Sequence, residues 1–273
     1  MPLWTPTNSF PGTVDTAVRG GVNITSSASI DTKGAWTSIV TATAKDSYGF
    51  FTSVGGLHQA ATVTNGLLDV GIGPTDPPEI IVPDWLIGTC ETNGTNGCGD
   101  SKQQFWPIFI PSGSKIWART ATIQASRVMT FKIFCLCDMP YGFTELYEKA
   151  TAYGVTVTGS KGVNATSGTG VYGAQVQLTA ATSRDHYAWA IGLGQGSDTT
   201  LTQNSVWAQL LIGSGATGPI GPWTFQMSTN EIIGGPLPPW PIQQFVASGT
   251  RIDCRVQAGA ATDSYDAIAY GLG

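Results

Sequence analysis

The side chains best suited to acid–base, nucleophilic or metal chemistry are scarce in this 273-residue sequence, which has two histidines and five cysteines. His186 follows Asp185, and we expect it to cap a turn or to face solvent rather than to act in catalysis, because the matching position of the first half holds Ser47. Cys135 and Cys137 would lie on one face of a predicted strand, but only His58 and His186 are available to complete a metal site. We therefore predict no catalytic residue and no metal ligand.

Cys90 and Cys98 bracket residues 89–101, a segment with two Asn-Gly pairs that is typical of a turn-rich loop. A disulfide that closes this loop is one interpretation, and it needs an oxidising setting. The other interpretation is that the cysteines are buried free thiols in strands, a description that suits Cys254. The sequence leaves both interpretations open.

Familiar catalytic motifs are absent from the sequence. It contains no G-x-S-x-G, no H-E-x-x-H and no P-loop, and most of its five glutamates fall in predicted loops or a predicted linker. The glycine-rich residues 192–196 are followed by no helical pattern, so they indicate the end of a strand rather than a phosphate-binding loop. We expect a non-enzymatic protein that needs no cofactor.

Charged residues make up only 11% of the sequence, against about 25% in typical soluble domains. The net charge is −5 and the 13 basic residues are spread thinly, which argues against binding to a nucleic-acid backbone. No apolar run approaches the roughly 20 residues of a membrane span, and the N-terminus lacks the pattern of a secretory signal. A surface with so few charges is typical of a protein that buries much of it against neighbouring subunits.

Residues 110–136 recur at residues 246–272, and the two segments align without a gap. Each copy has a Ser-Gly turn, a run that alternates polar and apolar residues, a small polar break and a second alternating run. That pattern predicts a β-hairpin in each copy, because alternate residues of a strand point to opposite faces.

A second pair of matching segments, residues 41–50 and 180–189, places Asp46 opposite Asp185. Each aspartate precedes a predicted strand that begins with an aromatic residue. We expect each carboxylate to accept hydrogen bonds from the backbone of its own turn, as aspartates at such positions usually do.

Tryptophans recur in the same order in the two halves. Trp85 matches Trp223 and Trp106 matches Trp240, which favours a role for these side chains in two similar cores. We interpret the ordered matches as two copies of one all-β domain of roughly 120 residues.

The sequence therefore predicts an all-β fold of two tandem antiparallel β-sandwich domains, jelly-roll-like and derived from an internal duplication. The predicted parts are an N-terminal arm (1–19), a first β-sandwich (20–137), a linker (138–153) and a second β-sandwich (154–273). Within the linker, residues 142–150 are the best candidate for a short helix, with a structured turn as the alternative.

Strands are predicted where β-branched and aromatic residues concentrate. They cover residues 35–40, 49–54, 66–72, 80–87, 173–180, 187–193, 205–212 and 223–227, together with the two repeated hairpins. A proline-rich stretch at 234–241 precedes the second hairpin, as residues 104–107, which contain Pro107, precede the first.

The three prolines of residues 1–19 exclude a regular helix or a central strand there. Trp4 and Phe10 are apolar anchors on this otherwise extended segment. Either the segment packs on its own domain as a strand-like lead-in, or it is an intersubunit arm whose Trp4 and Phe10 dock on a neighbouring subunit.

The repeated phrases Ser-Gly-Ser/Thr-Lys/Arg-Ile-x-x-Arg and the closing Tyr-Asp-Ala-Ile-Ala-Tyr-Gly resemble those of virion structural proteins of tailed bacteriophages. The resemblance implies tandem jelly-roll or similar β-sandwich modules that decorate the capsid, neck, collar or tail, and it implies no catalytic residues. It leads us to expect a location in the virion, a homo-oligomer, and contacts with capsid, portal, neck or tail subunits.

The alternative function is a receptor- or carbohydrate-binding module of a viral fibre or a secreted adhesin. Nine tryptophans and eight tyrosines could supply the flat surfaces on which sugar rings stack, so a glycan is the expected partner in that case.

Overall fold

The computed structural model describes residues 9–10, 21–55, 66–87, 102–137, 145–195, 205–213, 218–228, 231–259 and 263–273. Throughout these ranges the regular structure is β-strand, and they contain no helix. The strands form four sheets of four to six strands, almost all of whose pairs are antiparallel. The predicted all-β class with antiparallel sandwiches is therefore confirmed.

The first sandwich is built from nine strands. They are β1 (Ser9–Phe10), β2 (Val22–Thr25), β3 (Thr37–Val40), β4 (Ser47–Gly55), β5 (Gly66–Ile72), β6 (Glu79–Ile87), β7 (Lys102–Ile110), β8 (Ile116–Thr122) and β9 (Val128–Cys135). One sheet has the order β1-β9-β4-β7, with β2 also paired to β9, and the other has the order β3-β8-β5-β6. Without the two-residue β1, the eight strands β2 to β9 alternate between two facing sheets in the order of a jelly roll.

The second sandwich follows the same plan. Its strands are β10 (Ala150–Tyr153), β11 (Val155–Thr156), β12 (Lys161–Thr166), β13 (Gly168–Thr169), β14 (Val176–Thr179), β15 (His186–Gln195), β16 (Val206–Ile212), β17 (Gly218–Ser228), β18 (Glu231–Leu237), β19 (Ile242–Val246), β20 (Ile252–Ala258) and β21 (Ser264–Leu272). The order β12-β21-β15-β19 repeats β2-β9-β4-β7, and β14-β20-β16-β17 repeats β3-β8-β5-β6. The sequence repeat is therefore a repeat of the jelly roll.

The predicted hairpins are wrong, although the strands within them are correctly placed. β8 pairs with β3 and β5, whereas β9 pairs with β1, β2 and β4 in the facing sheet. β20 and β21 are divided in the same way. The chain crosses from one sheet to the other between the two alternating runs. The alternating pattern does not predict this crossing, because it fixes which face of a strand is buried and not which strand it pairs with.

β21 is buried along its whole length, on both faces of its sheet. Tyr265, Ala267 and Ala269 belong to the core of the second sandwich. The alternate residues Ile268, Tyr270 and Leu272 pack into the core of the first sandwich instead. The first sandwich therefore covers the outer face of the sheet that contains β21.

Tyr270 joins the two sandwiches. Its hydroxyl accepts a hydrogen bond from the backbone N–H of Leu86 at 2.6 Å and donates one to the carbonyl of Asp84 at 2.9 Å. Its ring meets the edge of Trp106 with centroids 5.4 Å apart. A Cβ on Gly192 would lie 3.1 Å from both Leu86 Cβ and the Tyr270 hydroxyl, so glycine permits this close approach.

The segment between the sandwiches is extended where it is described. Tyr147 forms a parallel bridge with Ile108, donating to the carbonyl of Pro107 at 2.9 Å and accepting from the N–H of Phe109 at 3.3 Å. β10 then pairs with β21. The helix predicted over residues 142–150 is wrong for the described residues 145–150, because their backbone groups bond to the neighbouring strands.

Two of the strands that contain proline are not predicted by the sequence. β7 includes Pro107 and β18 includes Pro236. Both strands lie at the end of their sheets. Proline is tolerated at such positions because an edge strand leaves some backbone N–H groups without a ladder partner.

Replacing Tyr270 by Phe should lower the free energy of unfolding by about 1–3 kcal/mol, since it leaves the Leu86 N–H and the Asp84 carbonyl without a buried partner. The matched control is Tyr187→Phe, at a side chain that is 47% exposed, for which we expect a change below about 0.5 kcal/mol. Urea titration measures both. Equal stabilities of the two variants would contradict the role given to Tyr270.

Candidate interaction site

A carboxylate holds the same turn in both sandwiches. Asp46 Oδ1 accepts a hydrogen bond from the backbone N–H of Ser112 at 2.7 Å, and Asp185 Oδ1 accepts from that of Ser248, also at 2.7 Å. The prediction that each aspartate bonds its own turn is wrong, because these partners lie 66 and 63 residues further along the chain. Both carboxylates fix the turn that begins the repeated segment, which is a structural role.

Two buried threonines hold the same turns from the inside. Thr43 Oγ1 donates to the carbonyl of Pro111 at 2.8 Å, and Thr182 Oγ1 donates to that of Ala247 at 2.9 Å. The two side chains are 4% and 3% exposed. The recurrence of both hydrogen bonds confirms the sequence repeat at the level of single atoms.

His186 is fully buried, so the prediction that it caps a turn or faces solvent is wrong. Its Nε2 lies 2.7 Å from the hydroxyl of Tyr153, which also lies 3.1 Å from Ser183 Oγ. Burial lowers the pKa of the imidazole to about 4, and the nearby charge of Arg184 acts in the same direction. The ring is therefore neutral at physiological pH.

The buried imidazole fills space that glycine leaves open. A Cβ on Gly271 would lie 2.6 Å from the His186 ring. In the first sandwich the corresponding positions hold Ser47 and Cys135. A large residue facing a glycine replaces two residues of intermediate size, so we assign His186 to packing.

The free energy of unfolding should decrease as the pH is lowered, because His186 is buried in its neutral form. The unfolded chain binds a proton near the ordinary pKa of 6.5, whereas the folded chain resists protonation down to about 4. The stabilisation is therefore complete above pH 6.5 and is lost as pH falls towards 4, by up to about 3 kcal/mol. Urea unfolding at pH 7.5 and 4.5 should show a smaller pH difference for His186→Gln than for the wild type. An equal difference would contradict this assignment.

The described cysteines, Cys135, Cys137 and Cys254, form no disulfide. Cys135 and Cys254 are buried, as the free-thiol interpretation predicts, and Cys137 is partly buried. Burial raises the pKa of Cys135 to about 11 and that of Cys254 to about 12, so both remain protonated and weakly nucleophilic at neutral pH. Cys90 and Cys98 lie outside the described residues, and their disulfide stays a prediction.

An ion-pair network lies on the sheet β3-β8-β5-β6. The carboxylate of Asp69, 3% exposed, accepts from Lys33 Nζ at 2.7 Å and from Arg119 Nε at 2.8 Å. Lys33 also lies 2.8 Å from Asp84, and the guanidinium of Arg119 lies 4.4 Å from the centre of the Trp36 ring. Each cation of the network is already paired with a carboxylate.

The second sandwich repeats this arrangement with fewer charges. Arg255 donates to Gln209 Oε1 at 3.1 and 2.9 Å, and its guanidinium lies 4.5 Å from the centre of the Tyr172 ring. Gln209 faces Arg255 across the strand pair, as Asp69 faces Arg119. The repeated arginine–aromatic contact stiffens the outer face of each sheet.

Within the described residues, no group of three or more His, Cys, Asp or Glu side chains is placed to hold a metal ion. None of the described segments is a helix with the length and apolar character needed to cross a membrane.

Four exposed apolar side chains lie on β19, on its partner strand β15, or shortly before β19 in the sequence. Leu237, Trp240 and Phe245 are 51%, 49% and 53% exposed, and the ring of Tyr187, 47% exposed, lies 5.4 Å from that of Phe245. These four residues define what we call the β19 patch. Exposed apolar side chains of this size are candidates for contact with another molecule.

The exposure of Trp240 contradicts its predicted place in a core. Trp85, Trp106 and Trp223 are buried, as predicted. Trp240 differs because it is not the structural counterpart of Trp106. Trp106 pairs with Phe50, and the matching pair in the second sandwich is Ile242 with Trp189.

Of the predicted N-terminal arm, the structure describes Ser9–Phe10 only. These residues form β1 and pair antiparallel with Phe134 and Ile133 of β9 in their own sandwich. This pairing agrees with the alternative in which the segment packs on its own domain. Trp4 lies outside the described residues, and the intersubunit role of Trp4 and Phe10 stays a prediction.

Comparison with known proteins gives little. No protein-family model matches the chain, and no curated protein matches it. Among solved structures, a chain in the structure of infectious bursal disease virus Gx strain is 9% identical and superimposes with a TM-score of 0.22. The match covers 97% of this chain and 75% of the viral chain. A similarity this low does not establish a shared fold.

Proposed function

We propose that this protein is a non-enzymatic structural subunit of a virus particle that binds other virion subunits, homo-oligomerises and is located in the virion. The resemblance of its repeated phrases to tailed-phage proteins favours a capsid decoration, neck, collar or tail-associated position. The observation that carries the proposal is the pair of packed jelly rolls bearing an open, uncharged sheet edge at β19.

The architecture supports an assembly role. Double-sheet jelly rolls serve as viral capsid and lectin domains and as cupins. Here the interiors of both sandwiches are filled by large side chains, among them Phe50 and Trp106 in the first and Trp189 and Trp223 in the second. Filled interiors direct attention to the outer faces and edges of the sheets.

The composition of the surface also supports an assembly role. Charged residues make up 11% of the sequence, so much of the surface lacks the ions that keep a monomer apart from its neighbours. The β19 patch adds four half-exposed apolar side chains to that surface. A protein of this kind gains free energy when neighbouring subunits cover it.

Purified wild-type protein should form ordered assemblies as its concentration rises, visible by electron microscopy and by sedimentation. Deletion of residues 1–13 removes the two-residue strand β1 and should still leave both sandwiches folded, judged by a cooperative unfolding transition, and should weaken assembly. Wild-type assembly by the truncated chain would remove the arm from the proposal. A wild-type chain that stays monomeric at every concentration would overturn the proposed function.

A carbohydrate-binding role is the second candidate, favoured by the half-exposed Trp240 and the exposed ring pair Tyr187–Phe245. Aromatic faces at the surface can stack against sugar rings. On a glycan array, this function requires specific binding that Trp240→Ala reduces at least about tenfold, while the buried-site control Cys254→Ala leaves it unchanged. Absence of specific binding by the wild type would exclude it.

A further inference from the structure

We infer that the free edge of β19 is the docking site for a second copy of this chain, and that two β19 strands pair antiparallel about a twofold axis. This inference rests on the proposed function and names the partner and surface that it requires. The two β12-β21-β15-β19 sheets would then continue across the contact.

The edge is open in the described part of the chain. β19 ends its sheet and pairs there with β15 alone. Its sequence, IQQFV, has neither a charged residue nor a proline, and its three central side chains are exposed. Edge strands that must stay apart usually carry such residues, so an edge without them is a site for strand addition.

The equivalent edge of the first sandwich is covered by another segment of the chain. This edge, β7, is capped by Tyr147, which bonds to the carbonyl of Pro107 and the N–H of Phe109. The offset of 136 residues between the repeats makes Gln243 and Phe245 the counterparts of these two residues. The side chain of Gln243 is hydrogen-bonded to that of Tyr147, but neither counterpart makes a backbone–backbone bond outside its own sheet in the described residues.

The register shift in the strand pair does not explain the difference between the two edges. β15 and β19 are out of simple register between His186 and Ala188. β4 and β7 show the same shift between Tyr48 and Phe50. The two edges therefore share their geometry and, within the described residues, differ in whether the backbone of a further segment bonds to them.

A second copy matches the edge in chemistry. Antiparallel pairing centred on Gln244 sets Ile242 of one copy opposite Val246 of the other, and Gln244 opposite itself. An apolar pair thus lies at each end, and no like charges face each other. A twofold contact of this kind uses the same surface on both subunits, so one uncapped edge satisfies both.

The contact also adjoins an existing interface. The carbonyl of Pro239, just before β19, accepts from the backbone N–H of Phe105 at 3.1 Å and from Gln104 Nε2 at 2.8 Å. These bonds anchor the start of β19 to the first sandwich. The exposed Leu237 and Trp240 lie on either side of this anchor in the sequence, and a docked copy would cover Phe245 on β19 itself.

Charge swaps at Gln244 test the pairing. Gln244→Lys or Gln244→Glu alone sets two like charges opposite each other at the twofold axis, and each should weaken self-association at least about tenfold in sedimentation equilibrium. An equimolar mixture of the two variants should recover association, because the charges then attract. Gln177→Lys, an exposed glutamine on β14, is the matched control and should associate like the wild type.

A cysteine at the axis tests the geometry directly. Facing residues of an antiparallel pair have Cα atoms about 4.5–5.5 Å apart, within reach of a disulfide. Gln244→Cys should therefore form a covalent dimer under mild oxidation, well above the level given by Gln177→Cys or by the wild type. No excess of cross-linked dimer would overturn the inference.

The outcomes separate this inference from the proposed function. Particles formed equally well by the wild type and by Gln244→Lys would overturn the β19 contact and leave the proposed function standing. A chain that dimerises through position 244 but forms no larger assembly, and joins no particle, would overturn the proposed function alone. A wild-type chain that neither dimerises nor assembles would overturn both.

Discussion

The apolar junction around Tyr270 is the contact on which the two-sandwich arrangement depends. β21 contributes alternate residues to two cores, and Tyr270 satisfies the backbone of β6 from the opposite sandwich. Burial raises the pKa of Tyr270 well above its ordinary value, which keeps its hydroxyl neutral as both donor and acceptor. The two jelly rolls therefore share side chains, and a change in one core is felt by the other.

The duplication has kept the elements that define the fold and changed those that face outward. Both copies keep the aspartate and threonine that hold the first turn, and both keep the arginine that packs on an aromatic ring. The edges differ, because Tyr147 caps β7 while β19 is uncapped in the described residues. Equivalent edges with different coverings give one chain two distinct surfaces from a single design.

Much of the fold could be predicted from periodicity and repetition, since alternating residues reveal strands and matched phrases reveal duplication. Sheet membership could not, because β8 and β9 show the same alternation whether they pair or face each other. The burial of His186 depends on Gly271, which lies 85 positions further along the chain. No local sequence pattern around His186 predicts this contact. Aligning Trp106 with Trp240 overlooks a two-residue shift, since Ile242 is the structural counterpart of Trp106, and the exposure of Trp240 therefore cannot be predicted.

The double burial of β21 also shapes how the chain folds. Leu86 and Tyr270 are 184 residues apart in sequence, yet they share a hydrogen bond at the centre of the molecule. Loops of this length close slowly, and folding rates fall as contacts become more distant along the chain. The first jelly roll therefore reaches its final packing only after the distant strand arrives, since Ile268, Tyr270 and Leu272 complete its core.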